Sequence, residues 1–151
     1  MHFSEMLKPE NVRIVQSVDT WQNAIRLACA PLEEGGYVEP CYADNIIAAT
    51  EKMGPYYVLT EDVALVHGRP EDGVIKQQFA VTLLREPIKF SEDSFEVRLL
   101  VTLAAQDANS HIDAMRVLAG IFCDQDKINE IVALETPQQV YDAFVAAASE
   151  Q

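Results

Sequence analysis

Two histidines in this chain stand where an apolar run gives way to a turn. His67 closes the run Val63–Val66 and is followed at once by Gly68. His111 lies in Asp107-Ala-Asn109-Ser-His111, shortly after a second apolar run that reaches Leu103. An imidazole whose ordinary pKa is about 6.5 is largely neutral at cellular pH, so one ring nitrogen is bare and can attack phosphorus. Phosphoryl transfer asks little else of a protein than in-line positioning and donors or cations around the equatorial oxygens. Gly68 lets the backbone come close, the amides after the strand can point at an anion, and Arg69 brings a positive charge. His67 is therefore read as a phosphoryl acceptor. His111 is read as a hydrogen-bond donor to the phosphoryl oxygens, or as the group that orients His67. Its place near a predicted helix start would favour added negative charge. Gly68, Arg69, Asp107 and Asn109 are the expected supporting residues. If both runs are strands of one sheet, their carboxyl ends can gather the two rings at one site.

Other chemistries have weaker signals. His67, His111 and Asp107 together contain zinc-ligating groups, but there is no HExxH or H-x-H spacing and the only other histidine is His2. No metal is expected. The absence of GxxxxGK[ST], GxGxxG and GxSxG patterns removes local support for nucleotide binding or an elbow-serine hydrolase, and no cofactor is expected. The acidic pairs Glu33-Glu34 and Glu71-Asp72 read as solvated loop residues, the second lying between Pro70 and Gly73 in a good turn. Cys29, Cys41 and Cys123 are scattered and odd in number, which suits a reducing compartment. Cys29 and Cys123 fall in helical apolar patterns and read as packing residues.

Charge narrows the partners. Eleven basic against twenty-four acidic residues give a net charge of −13, which argues against nucleic acid. Such acidity steers a chain towards a basic protein surface, or simply keeps it soluble. No apolar run approaches the roughly 18 residues of a membrane span. The start, Met1 to Met6, has neither a basic nor a continuous apolar segment of the secretory kind, so the cytoplasm is expected.

The elements that must position the histidines can be sketched from periodicity. With 151 residues and no linker or repeat, one domain over 1–151 is expected. Asn11 to Gln16 alternates like a strand. Asp19 or Thr20 can cap a helix carrying Trp21, Ala24, Ile25, Ala28 and Leu32 and ending near Gly35-Gly36. A second helix is predicted from Pro40 to Gly54. Tyr56–Leu59, Val63–Val66, Gln78–Leu84 and Phe95–Leu103 read as strands. After Ala108 come three helices: one capped by Asn109 or Ser110, one over about Gln125 to Leu134, and one opened by Thr136-Pro137-Gln138-Gln139. The pattern predicts an α/β sandwich with a mixed central sheet flanked by helices on both faces.

Several of these segments together resemble a known family. Gly54-Pro-Tyr-Tyr-Val58, Ala64-Leu-Val-His67-Gly-Arg-Pro-Glu-Asp-Gly-Val74 and Ala104-Ala-Gln-Asp107-Ala-Asn109-Ser-His111 resemble the enzyme IIA components of the phosphotransferase system, fructose/mannitol class (type 2). The L-ascorbate branch is the closest in kind. The resemblance runs over nearly the whole chain. It implies a phosphohistidine at His67 and a second active-site histidine at His111. It further implies that the carrier protein HPr donates the phosphoryl group and that a cysteine of the cognate EIIB accepts it. Sugar is then phosphorylated as it crosses the membrane component EIIC, which this chain meets only indirectly. Neither metal nor nucleotide is implied, and self-association is left open.

Two positions depart from the family pattern. Val66 stands where the family usually has proline, which restores an N–H and frees φ. Where mannitol-type members carry an upstream arginine, Thr50-Glu51-Lys52-Met53 offers only Lys52. Two competing expectations share the fold: a regulatory module whose phosphorylation state controls a partner, and a binding domain with an inert histidine pair. Neighbouring EIIB and EIIC genes would favour transport over regulation.

Overall fold

The computed structural model describes residues 3–106 and 112–149. Their centre is a mixed five-stranded sheet in the order β1-β4-β5-β3-β2. The strands are β1 (Val12–Val15), β2 (Val58–Thr60), β3 (Asp62–His67), β4 (Gln78–Lys89) and β5 (Glu96–Ala104). β3 runs parallel to β5, with His67 opposite Leu103, so both strands end at the same edge of the sheet. β4 is antiparallel to β5 and parallel to β1, and β2 is antiparallel to β3.

Helices cover both faces, as predicted. α2 (Trp21–Glu34) and α3 (Cys41–Met53) pack on one face, and α4 (Ile112–Phe122), α5 (Gln125–Val132) and α6 (Pro137–Ser149) on the other, joined by the short α1 (Phe3–Met6). Alternation along β3 sorts its side chains between these layers. Ala64 and Val66 join the α2–α3 core, whereas Val63 and Leu65 join the α4–α6 core. Continuing the period of two places the His67 ring on the α4 side.

Local rules account for most helix ends. Thr20 caps α2 by accepting from the Asn23 amide at 3.1 Å. Gly54 ends α3 at φ 83°, a conformation that costs glycine little. Thr136 and Gln139 form a reciprocal capping box at the start of α6, each side chain accepting from the other's amide at 3.2 Å. Two sequence expectations need correction. β2 starts at Val58 rather than Tyr56, because the Tyr56 and Val58 amides are taken by turn bonds to Gly54 and Pro55, while the Tyr57 carbonyl already accepts from the Leu65 amide of β3 at 2.8 Å. β4 continues five residues beyond Leu84, resuming its pairing at Ile88 opposite Val97 after an irregularity.

Candidate functional site

His67 sits half-buried at the end of β3, and its ring is fixed by its own strand. Nδ1 lies 2.7 Å from the Leu65 carbonyl oxygen. A carbonyl can only accept, so Nδ1 carries the proton and Nε2 is the bare nitrogen. The Tyr56 ring makes a T-shaped contact with the imidazole, at 5.3 Å between centroids and an interplanar angle of 88°. From that position the Tyr56 hydroxyl donates to the His67 carbonyl at 2.6 Å. Burial, then the charge of Asp72, push the Tyr56 phenol above its usual range, with Arg69 pulling the other way. It therefore remains a donor at neutral pH.

The backbone after His67 is held from the opposite face. Tyr42, on α3, is fully buried, and its hydroxyl donates to the Leu103 carbonyl at 2.8 Å while accepting from the Gly68 amide at 3.0 Å. Burial raises its pKa strongly, against the Gly68 bond that lowers it, so this phenol too stays protonated. Space at Gly68 is tight: a Cβ would come within 3.1 Å of Asp72 Oδ2, 3.2 Å of Ile46 and 3.3 Å of the Tyr42 ring, so these side chains would have to give by a few tenths of an ångström. The next turn, Pro70–Asp72, folds back on itself. Asp72 accepts from the Arg69 amide at 2.9 Å and from the Arg69 guanidinium at 3.1 Å, and Glu71 approaches the same guanidinium at 3.5 Å. Desolvation pulls the Asp72 carboxyl upward, but these Arg69 contacts prevail and leave it below the usual range. Asn45 of α3 anchors the turn by donating to the Asp72 carbonyl at 2.8 Å.

This geometry revises part of the sequence reading. The amides of Gly68 and Arg69, expected as anion donors, are both engaged inside the loop, and the Arg69 cation is paired with two carboxylates. The turn around Glu71-Asp72 forms as read, yet Asp72 organises it rather than merely meeting solvent. Lys52 is exposed in the last turn of α3. Val66 is fully buried opposite Thr102. Asp107, Asn109 and His111 lie outside the described residues. What the described residues do place together is the end of β3, the end of β5 beside it, and α4 on the His67 side of the sheet. Tyr42, Tyr56 and Asn45 were not singled out from sequence. Helical spacing with Ile46 and Ile47 puts Tyr42 on the buried face of α3, and no local signal tells where its hydroxyl points. Among the described residues no group of three or more His, Cys, Asp or Glu side chains is arranged to hold a metal ion.

Residues 5–146 match the family model for the phosphoenolpyruvate-dependent sugar phosphotransferase system, EIIA 2. The chain belongs to that family. This EIIA chain is 37% identical over 135 residues to the ascorbate-specific PTS system EIIA component of Shigella boydii, an alignment covering 88% of each chain. It is also similar to the solution structure of the mannitol-specific cryptic phosphotransferase enzyme IIA CmtB from Escherichia coli. There the TM-score is 0.87 and the identity 30%, covering 95% of this chain and 98% of that one. A further neighbour, 28% identical with a TM-score of 0.73, is enzyme IIAMTL of Escherichia coli in complex with phosphorylated enzyme IIBMTL. That match covers 96% of this EIIA chain and 99% of the other. The mixed sheet with helices on both faces, predicted from the sequence pattern, is thus the fold of the family.

Proposed function

We propose that this EIIA chain carries a phosphoryl group on Nε2 of His67, taking it from phospho-HPr and passing it to a cysteine of the cognate EIIB. The observation that carries the reading is the 2.7 Å contact between Nδ1 and the Leu65 carbonyl, which leaves Nε2 as the nucleophile on a half-exposed ring. In the first step the Nε2 lone pair attacks phosphorus, the donor's N–P bond breaks, and a new N–P bond forms on His67. The proton stays on Nδ1, which donates to the Leu65 carbonyl, so the phosphorylated ring is cationic and a good leaving group. In the second step a thiolate attacks phosphorus, an S–P bond replaces the N–P bond, and His67 returns to its neutral form.

An EIIB partner is supported by the IIAMTL–IIBMTL neighbour, and an L-ascorbate-like sugar by the ascorbate-specific relative. The membrane component is reached only through EIIB, and the relay is assigned to the cytoplasm, where HPr is met. No described helix is long and apolar enough to cross a membrane. His111 is assigned a place at the phosphoryl oxygens, with Asp107 and Asn109 in support, on its position in the segment that links β5 to α4.

Incubation with phosphoenolpyruvate, Enzyme I and HPr should add one acid-labile phosphoryl group, visible by mass spectrometry and lost in His67→Ala. His111→Gln should slow onward transfer to EIIB without unfolding the chain. Failure to label the parent chain, under conditions that label a known EIIA protein, refutes the proposal.

A further inference from the structure

We infer that Tyr42 is a positioning residue for transfer at His67, acting through the Gly68 amide; the inference rests on the carrier reading above. One buried hydroxyl joins the two strand ends that meet at the site. It donates to Leu103, the residue opposite His67 in the sheet, and accepts from Gly68, the residue after it. A phenol has one proton and readily fills both roles at once, and burial keeps that proton in place.

The geometric consequence concerns the peptide between His67 and Gly68. Its carbonyl is held by Tyr56 and its N–H by Tyr42, from two sides. Neither half can turn without breaking a bond. The ring torsions therefore start from a fixed backbone, and the contact from Nδ1 to Leu65 fixes the ring in turn. In-line transfer is sensitive to such placement: an error of about 1 Å can cost about a hundredfold in rate. Tyr42 lies on the α2–α3 face of the sheet and the His67 ring on the other, so Tyr42 works without touching the phosphoryl group.

Tyr42→Phe in the full chain removes both bonds and keeps the ring. The expected result is a folded protein whose uptake of phosphoryl from phospho-HPr is slower by about tenfold to a hundredfold. The KM for phospho-HPr should stay within about twofold, since the docking surface is unaltered. Hydrogen exchange at the Gly68 amide should accelerate in parallel. A transfer rate within twofold of the parent, or an unchanged Gly68 exchange rate, overturns the inference. Should Tyr42→Phe fail to fold, Gly68→Ala carries the same test, because its Cβ would press on the Tyr42 ring edge. Unchanged transfer in that variant is equally fatal. If the parent chain itself takes up no phosphoryl, the carrier reading falls, and the 15N shifts of the His67 ring decide the positioning separately. A change in them on Tyr42→Phe sustains it, and identical shifts end it.

Discussion

Replacing Tyr56 by phenylalanine removes one oxygen from the site and leaves the ring that leans on the imidazole. The lost contact is the 2.6 Å bond to the His67 carbonyl. A neutral hydrogen bond contributes about 0.5–1.5 kcal/mol net, and Tyr56 is 40% exposed, so water can replace the missing donor. The loss should sit within that range rather than reach a full desolvation penalty. For a chain of this size that corresponds to a fall in Tm of about 1–6 °C. If all of it is felt in the transition state, transfer slows by about twofold to tenfold. The effect should be flat from pH 6 to 9. A phenol whose pKa in the folded chain lies above its unfolded value contributes its full stability below the unfolded pKa, and that contribution is lost only as the pH rises through the folded one. Rapid-quench phosphoryl transfer with purified HPr, alongside thermal melts at three pH values, measures both quantities. A rate loss beyond a hundredfold would mean that the hydroxyl touches the transferring group itself. No change in rate or Tm would mean that the bond positions nothing.

Three further outcomes test the structure away from the ring. Asp62 has φ 72° and pairs with Arg98 through two 2.9 Å bonds, so Asp62→Ala and Asp62→Gly lose the same ion pair but only alanine keeps the backbone strain. Urea unfolding should find the alanine variant less stable than the glycine variant by about 1–2 kcal/mol, and equal stabilities would remove the strain. Burial, then the charge of Glu33, push the Cys29 thiol up to about 12. At pH 8 Cys41 and Cys123, both exposed, should react with a thiol reagent, whereas Cys29 waits for denaturant; rapid labelling of all three would contradict its burial. Thr136→Ala breaks the capping box of α6 and should cost about 0.5–2 kcal/mol by chemical denaturation, with an unaltered midpoint counting against the cap.

Much of this architecture was legible because its determinants are local. Thr20, Gly54 and the Thr136–Gln139 box act on backbone groups within a few residues, so composition alone marks the ends of three helices. The run Val63–Val66 announces a strand, and the residue ending it is the histidine. Most of the misses are non-local. Arg85-Glu86-Pro87 looks like the end of a strand, yet β4 resumes beyond it because β5 supplies a partner at Val97. Glycine after His67 suggested an open cradle of amides. Its smallness instead admits Tyr42, Ile46 and Asp72, and the amides turn to the phenol and the carboxylate. The phenol reaches Gly68 from α3, 26 residues away along the chain, where no short motif points; the carboxylate stands only three residues from Arg69 and is a local turn contact.

The sheet is bordered by its two shortest strands, β1 with four residues and β2 with three, while the long β4 and β5 lie inside. So brief a border exposes few unpaired amides and carbonyls, and a foreign strand would find little to zip onto. Augmentation is therefore a poor route of attachment for this molecule. A visiting protein gains more by meeting the molecule end-on, where β3 and β5 stop and the imidazole stands.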